Sequence, residues 1–206
     1  MQEKPKVTVN RTRRESAAKE FTFTQADIPA SSNGLASFRA SAWDSFNRHS
    51  LPVNTDEAWR RTDLRLLPAA DFKLPKDGAF EDLPAVPEYL LQSLTGDQHG
   101  GQITLLPGGS QIQLDAELSK KGVVFTDFRT AEKDHADLLA RLIGQIVKPD
   151  DGKFAALASA LAQNGVLLYV PKNVQVEYPL HSVLWGPGSD LARFSHLVVY
   201  VEDGAS

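Results

Sequence analysis

The sequence predicts an α+β chain, with a helical and mixed region over residues 34–150 leading into a helix and successive strands over residues 151–206. Three observations predict it. Leu35, Phe38, Ala42 and Phe46 recur at three- and four-residue spacing, as do Phe154, Leu157, Ala158 and Leu161, so each set forms one apolar helical face. Val166–Val170 is continuously apolar, the pattern of a strand buried on both sides. Val174, Val176, Tyr178 and Leu180 alternate with Gln175, Glu177 and Pro179, the period of a half-buried strand.

Residues 1–33 are expected to form a disordered basic tail. Within the first twenty residues Lys4, Lys6, Arg11, Arg13, Arg14 and Lys19 outnumber Glu3, Glu15 and Glu20, and apolar residues are isolated apart from Phe21 and Phe23. Ser31, Ser32 and Asn33 offer N-caps for the first helix, which carries Trp43 and stops before Pro52. Asn54 and Glu57 stand at capping-box spacing, with Trp59 and Leu64 expected inward and Arg60 and Arg61 outward. Residues 68–88 have no period and read as an extended connection, followed by a short helix near Tyr89–Leu94.

Gln102–Leu106 and Ser110–Leu114 flank Pro107, Gly108 and Gly109, which predicts a hairpin. Val123–Phe125 is a third strand. Leu138, Leu139, Leu142, Ile143 and Ile146 make a helical stripe that ends before Pro149. The next helix follows Asp150 and Asp151, whose charge suits its N-terminus, and Asn164–Gly165 is expected to close it as a left-handed cap. Pro171, Lys172 and Asn173 turn the chain after Val170. Val183–Trp185 and Leu197–Val201 are further strands, separated by Gly186–Asp190, and Gly204, Ala205 and Ser206 form a turn. So many apolar strands need more layers than these residues supply, and the sequence reads as part of a longer chain.

Of the 206 residues 42% are hydrophobic and 23% charged, ordinary values for a chain with a packed core. The net charge of -4 gives no general attraction to nucleic acid or to an anionic membrane. The absence of cysteine excludes disulfides and thiolate metal ligation in this stretch. No apolar run is long enough for a membrane helix, and the N-terminus lacks a secretory apolar segment, so a cytoplasmic protein is expected.

Catalytic signatures are missing. There is no phosphate loop of the Walker type, no G-x-G-x-x-G between a strand and a helix, and no G-x-S-x-G elbow. Gly186-Pro187-Gly188 sits between strands with no helix behind it. No catalytic, cofactor-binding or metal-binding residue is assigned, and the chain is expected not to be an enzyme. Two rival readings are specific enough to test. His181 and His196 lie in or beside neighbouring strands and, with Glu177 or Glu202, would make a small β-rich His-ligated metalloenzyme. Trp185 and Tyr178 would make stacking platforms of a carbohydrate-binding β-module. Core packing is the expected role of Trp43, Trp59 and Trp185, and Arg60–Arg61 fits a solvated helix face.

Several stretches resemble one family. Leu51-Pro52 with Glu57-Ala58-Trp59-Arg60-Arg61-Thr62-Asp63-Leu64 is similar to a segment near the start of the SufD branch of the SufB/SufD family of iron–sulfur cluster assembly proteins. Gly122–Phe128 resembles that family's strand before a helix. Lys153–Leu157, Gly165–Val174 and Glu177–Leu180 resemble the passage leading into its β-helix, and Ser195–Ser206 the next strand with its E-x-G-A-S turn. The resemblance runs from about Leu35 to Ser206, loosely over residues 68–100, and does not include residues 1–33. It implies that residues 151–206 are the helix and first strands of a right-handed parallel β-helix, truncated here. It also implies a non-catalytic scaffold subunit of a SufBCD complex, working by protein–protein interaction with a SufB-like paralogue and a SufC-like ATPase. Those contacts would lie beyond this chain, and homodimerisation is also compatible. The resemblance transfers no site residue to this stretch, and an iron–sulfur cluster is implied only for the full assembly.

Overall fold

The computed structural model describes residues 20–31, 34–75, 84–92, 99–106, 109–186 and 190–206. The α+β expectation holds. Helix α1 (Gly34–Arg48) and the four-residue α2 (Glu88–Leu91) precede a hairpin of β1 (Gly101–Leu106) and β2 (Gly109–Leu114). Short helix α3 (Ala116–Lys120), strand β3 (Val124–Asp127) and helices α4 (Phe128–Asp134) and α5 (Ala136–Leu142) follow. Helix α6 (Lys153–Leu161) and strands β4 (Asn164–Val170), β5 (Leu180–Leu184) and β6 (Ser195–Val201) complete the order.

The strands form two small mixed sheets, ordered β2-β1-β5 and β3-β4-β6. β1–β2 and β3–β4 are antiparallel, whereas β1–β5 and β4–β6 are parallel. No barrel closes, and the described residues do not amount to a β-helix. The chain alternates between the sheets, from β4 to β5 and back to β6, so β6 lands beside β4.

The α1 stripe is buried much as its spacing predicts, whereas α6 buries Ala156 and Ala160 beside Leu157 and Leu161 and leaves Phe154 and Ala158 half-buried. Ala42, Trp43 and Phe46 of α1 meet Ala156, Leu157, Ala160 and Leu161 of α6 in one buried cluster. Burying a side chain of Leu or Phe size stabilises by ~1.5–3 kcal/mol, so this seam is a principal source of stability. A second cluster joins Leu35, Phe128, Ala131, Leu139 and Ile143 to Leu167 of β4. Between the sheets, Ile103 and Leu105 of β1 face Phe125 and Val166.

The described end of the expected tail is packed. Phe21 and Phe23 stack at 5.5 Å between ring centroids, and both lie against the α1–α6 cluster with Ile28 and Phe72. Phe21 also meets Phe154 edge-on at 6.1 Å. Glu20 reaches Lys153 Nζ at 3.3 Å, while that buried amine donates to the Phe46 carbonyl at 3.1 Å. Residues 1–19 lie outside the described residues.

Four local expectations are corrected. Asn54 and Glu57 form no capping box; the turn Glu57–Trp59 is capped at Asp56, whose carboxylate accepts from the Val53 N–H at 3.0 Å. Asn164–Gly165 is not a helix cap, because α6 already ends at Leu161 with Ala162 as its cap and both residues begin β4. The alternating segment 174–179 is no strand. Val176 N–H donates to the Ser206 carbonyl at 2.7 Å and Ser206 N–H to the Val174 carbonyl at 3.1 Å, so this segment pairs with the chain end instead. The stripe Leu138–Ile146 stops early: Gly144 takes φ +72 against the Phe38 ring, and Ile146 is left exposed.

The acids before α6 also act differently from a simple helix cap. Asp151 accepts from the Lys148 N–H at 2.8 Å. Asp150 takes hydrogen bonds from Ser45 and, at 2.9 Å, from Arg48, tying α1 to the turn before α6. The Ser45 hydroxyl is the main reason its carboxyl titrates below the ordinary range. Asp127, by contrast, is a true N-cap. Burial opposes its charge, but bonds from the Thr130 N–H and hydroxyl, the Ser110 hydroxyl and the Arg129 N–H outweigh that and hold its carboxyl low.

Candidate functional surface

The feature most open to a partner is the exposed edge of the β3-β4-β6 sheet. Register places Leu197 beside Val166, Val199 beside Leu168 and Val201 beside Val170. The β4 members of these pairs belong to the core between the sheets, but Leu197, Val199 and Val201 are 62%, 59% and 44% exposed. One row of apolar side chains is therefore covered and the next is not. A strand with that face and one edge unpaired among the described residues offers backbone hydrogen bonds and apolar contact together.

β6 is held tightly on its other side. Gly165 lies opposite His196, and a Cβ at Gly165 would come within 2.1 Å of the His196 carbonyl oxygen. Only glycine permits that approach. The His196 ring stacks on Phe128 at 5.5 Å and meets Phe38 edge-on at 6.4 Å. It bonds the Ala158 backbone, while its buried Nε2 has no partner. At the strand's far end Tyr169 and Tyr200 stack at 6.1 Å, and Tyr169 donates to Glu202 at 2.9 Å, a bond that raises the phenol's pKa. Glu202 also accepts from the Lys172 N–H at 3.0 Å, so this carboxylate latches two turns.

Burial pushes the His196 pKa below its ordinary value; the Arg39 charge adds to this, and the Ala158 bond opposes it only partly. The sign follows directly. The unfolded chain takes up this proton near pH ~6.5, before the folded chain does. The stabilisation is fully present above that pH and is lost as pH falls toward the lowered folded value. Urea unfolding at falling pH should show wild type losing stability faster than His196→Phe; equal slopes would contradict this account.

The two histidines are not brought together as a metal pair. His181 is in β5, where its Nδ1 lies 3.3 Å from Gln102 Oε1 of β1, and His196 is packed between rings in the other sheet. Among the described residues no group of three or more His, Asp or Glu could hold a metal ion. Trp185 and Tyr178 do not share a platform. Trp185 lines a cavity and donates to the Pro84 carbonyl at 3.3 Å, while Tyr178 lies outside that lining in the segment before β5. Trp59 is half-buried on Phe154 at 5.3 Å, Arg60 pairs with Glu57 at 3.4 Å, and Arg61 is exposed. No helix among the described residues is long and apolar enough to cross a membrane.

Arg39, missed by sequence reasoning, positions this surface from behind. Its side chain is 3% exposed and donates to Glu132 at 3.1 Å, to the Ala162 carbonyl at 3.2 Å and to Ser31. It thereby joins α1, α4 and the turn that launches β4. A lone arginine on the face of a predicted helix carries no signal of such a role.

The fold and this surface together define an α+β packing module that presents open parallel strands. Residues 110–181 match the family described as the SufBD protein N-terminal region. Over 98 residues, 47% of this chain and 22% of the relative, it is 43% identical to the iron–sulfur cluster assembly protein SufD of Bacillus subtilis. Over 93 residues, 45% of this chain and 20% of each relative, it is 31% identical to an iron–sulfur cluster assembly SufBD family protein of Staphylococcus aureus and 32% to one of Staphylococcus haemolyticus. These matches support a member of the SufB/SufD family, in its N-terminal portion. The matched stretch spans about a fifth of the length of these relatives. The resemblance passage from Lys153 to Leu180 falls wholly inside the family match, whereas the Trp59 segment and Ser195–Ser206 fall outside it.

Proposed function

We propose that the chain is a non-catalytic scaffold segment of a cytoplasmic iron–sulfur cluster assembly complex. The observation that carries this is the parallel return of β6 onto β4, with Leu197, Val199 and Val201 uncovered beside a covered row. Parallel return of alternate strands is how a β-helix stacks one coil on the last. In this reading β4, β5 and β6 open a right-handed parallel β-helix that the longer relatives have the length to continue. The names of those relatives, and the absence from the sequence of nucleotide or nucleophile motifs, support an assembly role over a reaction of its own. The partners are a SufB-like paralogue and a SufC-like ATPase, held through parts of the whole protein other than these residues. Any cluster would then be held by the assembly, since a stretch without cysteine offers no thiolate.

Co-purification tests this. Tagged protein at the length of the relatives, co-expressed with both partners, should retain them, and these 206 residues alone should retain neither. Failure of the longer protein to retain either partner would overturn the scaffold reading. Stoichiometric iron or zinc in the purified 206-residue chain would overturn its non-catalytic, metal-free part.

A further inference from the structure

β6 reaches the core through Val198 and His196. Val198 packs on the cluster of Leu35, Phe128 and Leu167, and the His196 ring lies against Phe128 at 5.5 Å and Phe38 at 6.4 Å. The alternate row, Leu197, Val199 and Val201, is uncovered. Among the described residues β6 pairs along one edge, with β4. The strand is therefore held by one ladder and a small inward contact, much of it an imidazole. Segments with few buried apolar contacts are the first to open.

The slot between the two phenyl rings suits a neutral imidazole. Nε2 is buried and has no hydrogen-bond partner among the described residues, while the ring bonds the Ala158 backbone of α6. A proton added there would make Nε2 a donor with nothing to receive its hydrogen, and would place a charge out of water. The surrounding groups do not offset that charge. Arg39 of α1 is a like charge that acts on the ring, and Glu132 of α4 is taken by Arg39 at 3.1 Å. Arg129 of α4 donates to the Gln163 carbonyl, and Lys153 of α6 is held by the Phe46 carbonyl and Glu20. β4 meets His196 with backbone at Gly165, and Glu202 beyond the end of β6 is engaged by Tyr169 and the Lys172 N–H. Phenyl faces attract a cation weakly and provide no oxygen for its proton.

We propose that β6 is an acid-released clasp: protonation of His196 expels its ring from the Phe38–Phe128 slot and frees β6 from β4, while the α1–α6 core stays folded. In the released state β4 presents its own backbone edge in place of the apolar row on β6. Acidity thus decides which strand a partner meets. The clasp is independent of the scaffold reading, because it needs neither partner nor cluster.

Amide exchange on the purified chain, followed from about pH 7.5 to about pH 4.5 and corrected for the intrinsic rate, tests this. The clasped ring takes up its proton at lower pH than the released ring, so release is favoured as pH falls below ~6.5. Protection of the β6 amides bonded to β4 should fall there by up to about tenfold per pH unit, the limit for one proton. Amides of α1 and α6 should keep their protection. His196→Phe retains an aromatic ring but cannot take the proton, so its β6 protection should not follow this dependence. His181→Gln, in the other sheet, should respond as wild type does. The imidazole resonances of wild type give a reading that needs no variant: His196 should stay neutral to below pH ~6.5. Wild-type protection independent of pH, an equal fall across α1 and α6, an acid response surviving in His196→Phe, or a His196 ring that charges at its ordinary pH would each overturn the proposal.

Discussion

Arg39→Met is expected to destabilise the chain by about 3–5 kcal/mol, the usual result of removing one member of a buried ion pair. The reason is what the arginine leaves behind. Glu132, 15% exposed on its side chain, loses its cation at 3.1 Å, and the Ala162 carbonyl loses a donor at 3.2 Å. Neither has room to recruit full hydration. Burial already lowers the Arg39 pKa despite the opposing pull of Glu132, a sign that desolvation is the larger influence there. The net value of the pair is therefore smaller than the damage done by breaking it. Arg39→Met combined with Glu132→Leu should recover most of the loss, and a urea-unfolding double-mutant cycle measures both. A single variant within about 0.5 kcal/mol of wild type would contradict the assigned role, since that is the spread of neutral surface changes.

Gly165→Ala should cost about 3 kcal/mol, at the upper end of overpacking penalties, although it adds one methyl group. The added carbon would lie 2.1 Å from the His196 carbonyl oxygen, where ordinary contact begins near 3.4 Å. The clash is with backbone on both sides, so no rotamer relieves it. β6 must move away from β4, carrying His196 out of its place between Phe128 and Phe38. Amide exchange gives the more specific readout: protection should fall first across Leu197–Val201, with α1 and α6 keeping theirs. Uniform loss across the molecule, or no loss, would contradict the picture of a strand held by this one close approach. In the scaffold reading the same variant should also weaken partner retention by the longer protein, because the first return of the chain would be misplaced.

Much of the local structure was legible. The spacing of Leu35, Phe38, Ala42 and Phe46 and that of Phe154, Leu157 and Leu161 marked α1 and α6, since a helix buries every third or fourth residue whatever it packs against. The glycine-proline turn between two apolar runs marked the β1–β2 hairpin. Asn164–Gly165 was misread for a definite reason. A glycine after a helical stripe looks the same whether it caps the helix or begins a strand that another backbone must approach closely. Phe21 and Phe23 were assigned to the tail because their partners, Phe72, Phe154 and Phe194, are distant in sequence.

The candidate surface divides along the same line. Apolar periodicity announced that Leu197–Val201 would be a strand, and the order of motifs pointed to the SufB/SufD family before any contact was known. It did not announce which strand β6 would join. His181 and His196 looked like neighbours because their strands are consecutive, yet β5 pairs with β1 and β6 with β4. Elements and their buried faces follow from short-range sequence, because backbone sterics and side-chain spacing act over a few residues. Pairing, and with it Arg39's buried bond and the uncovered row on β6, was decided only when distant segments competed for the same edges and the same space.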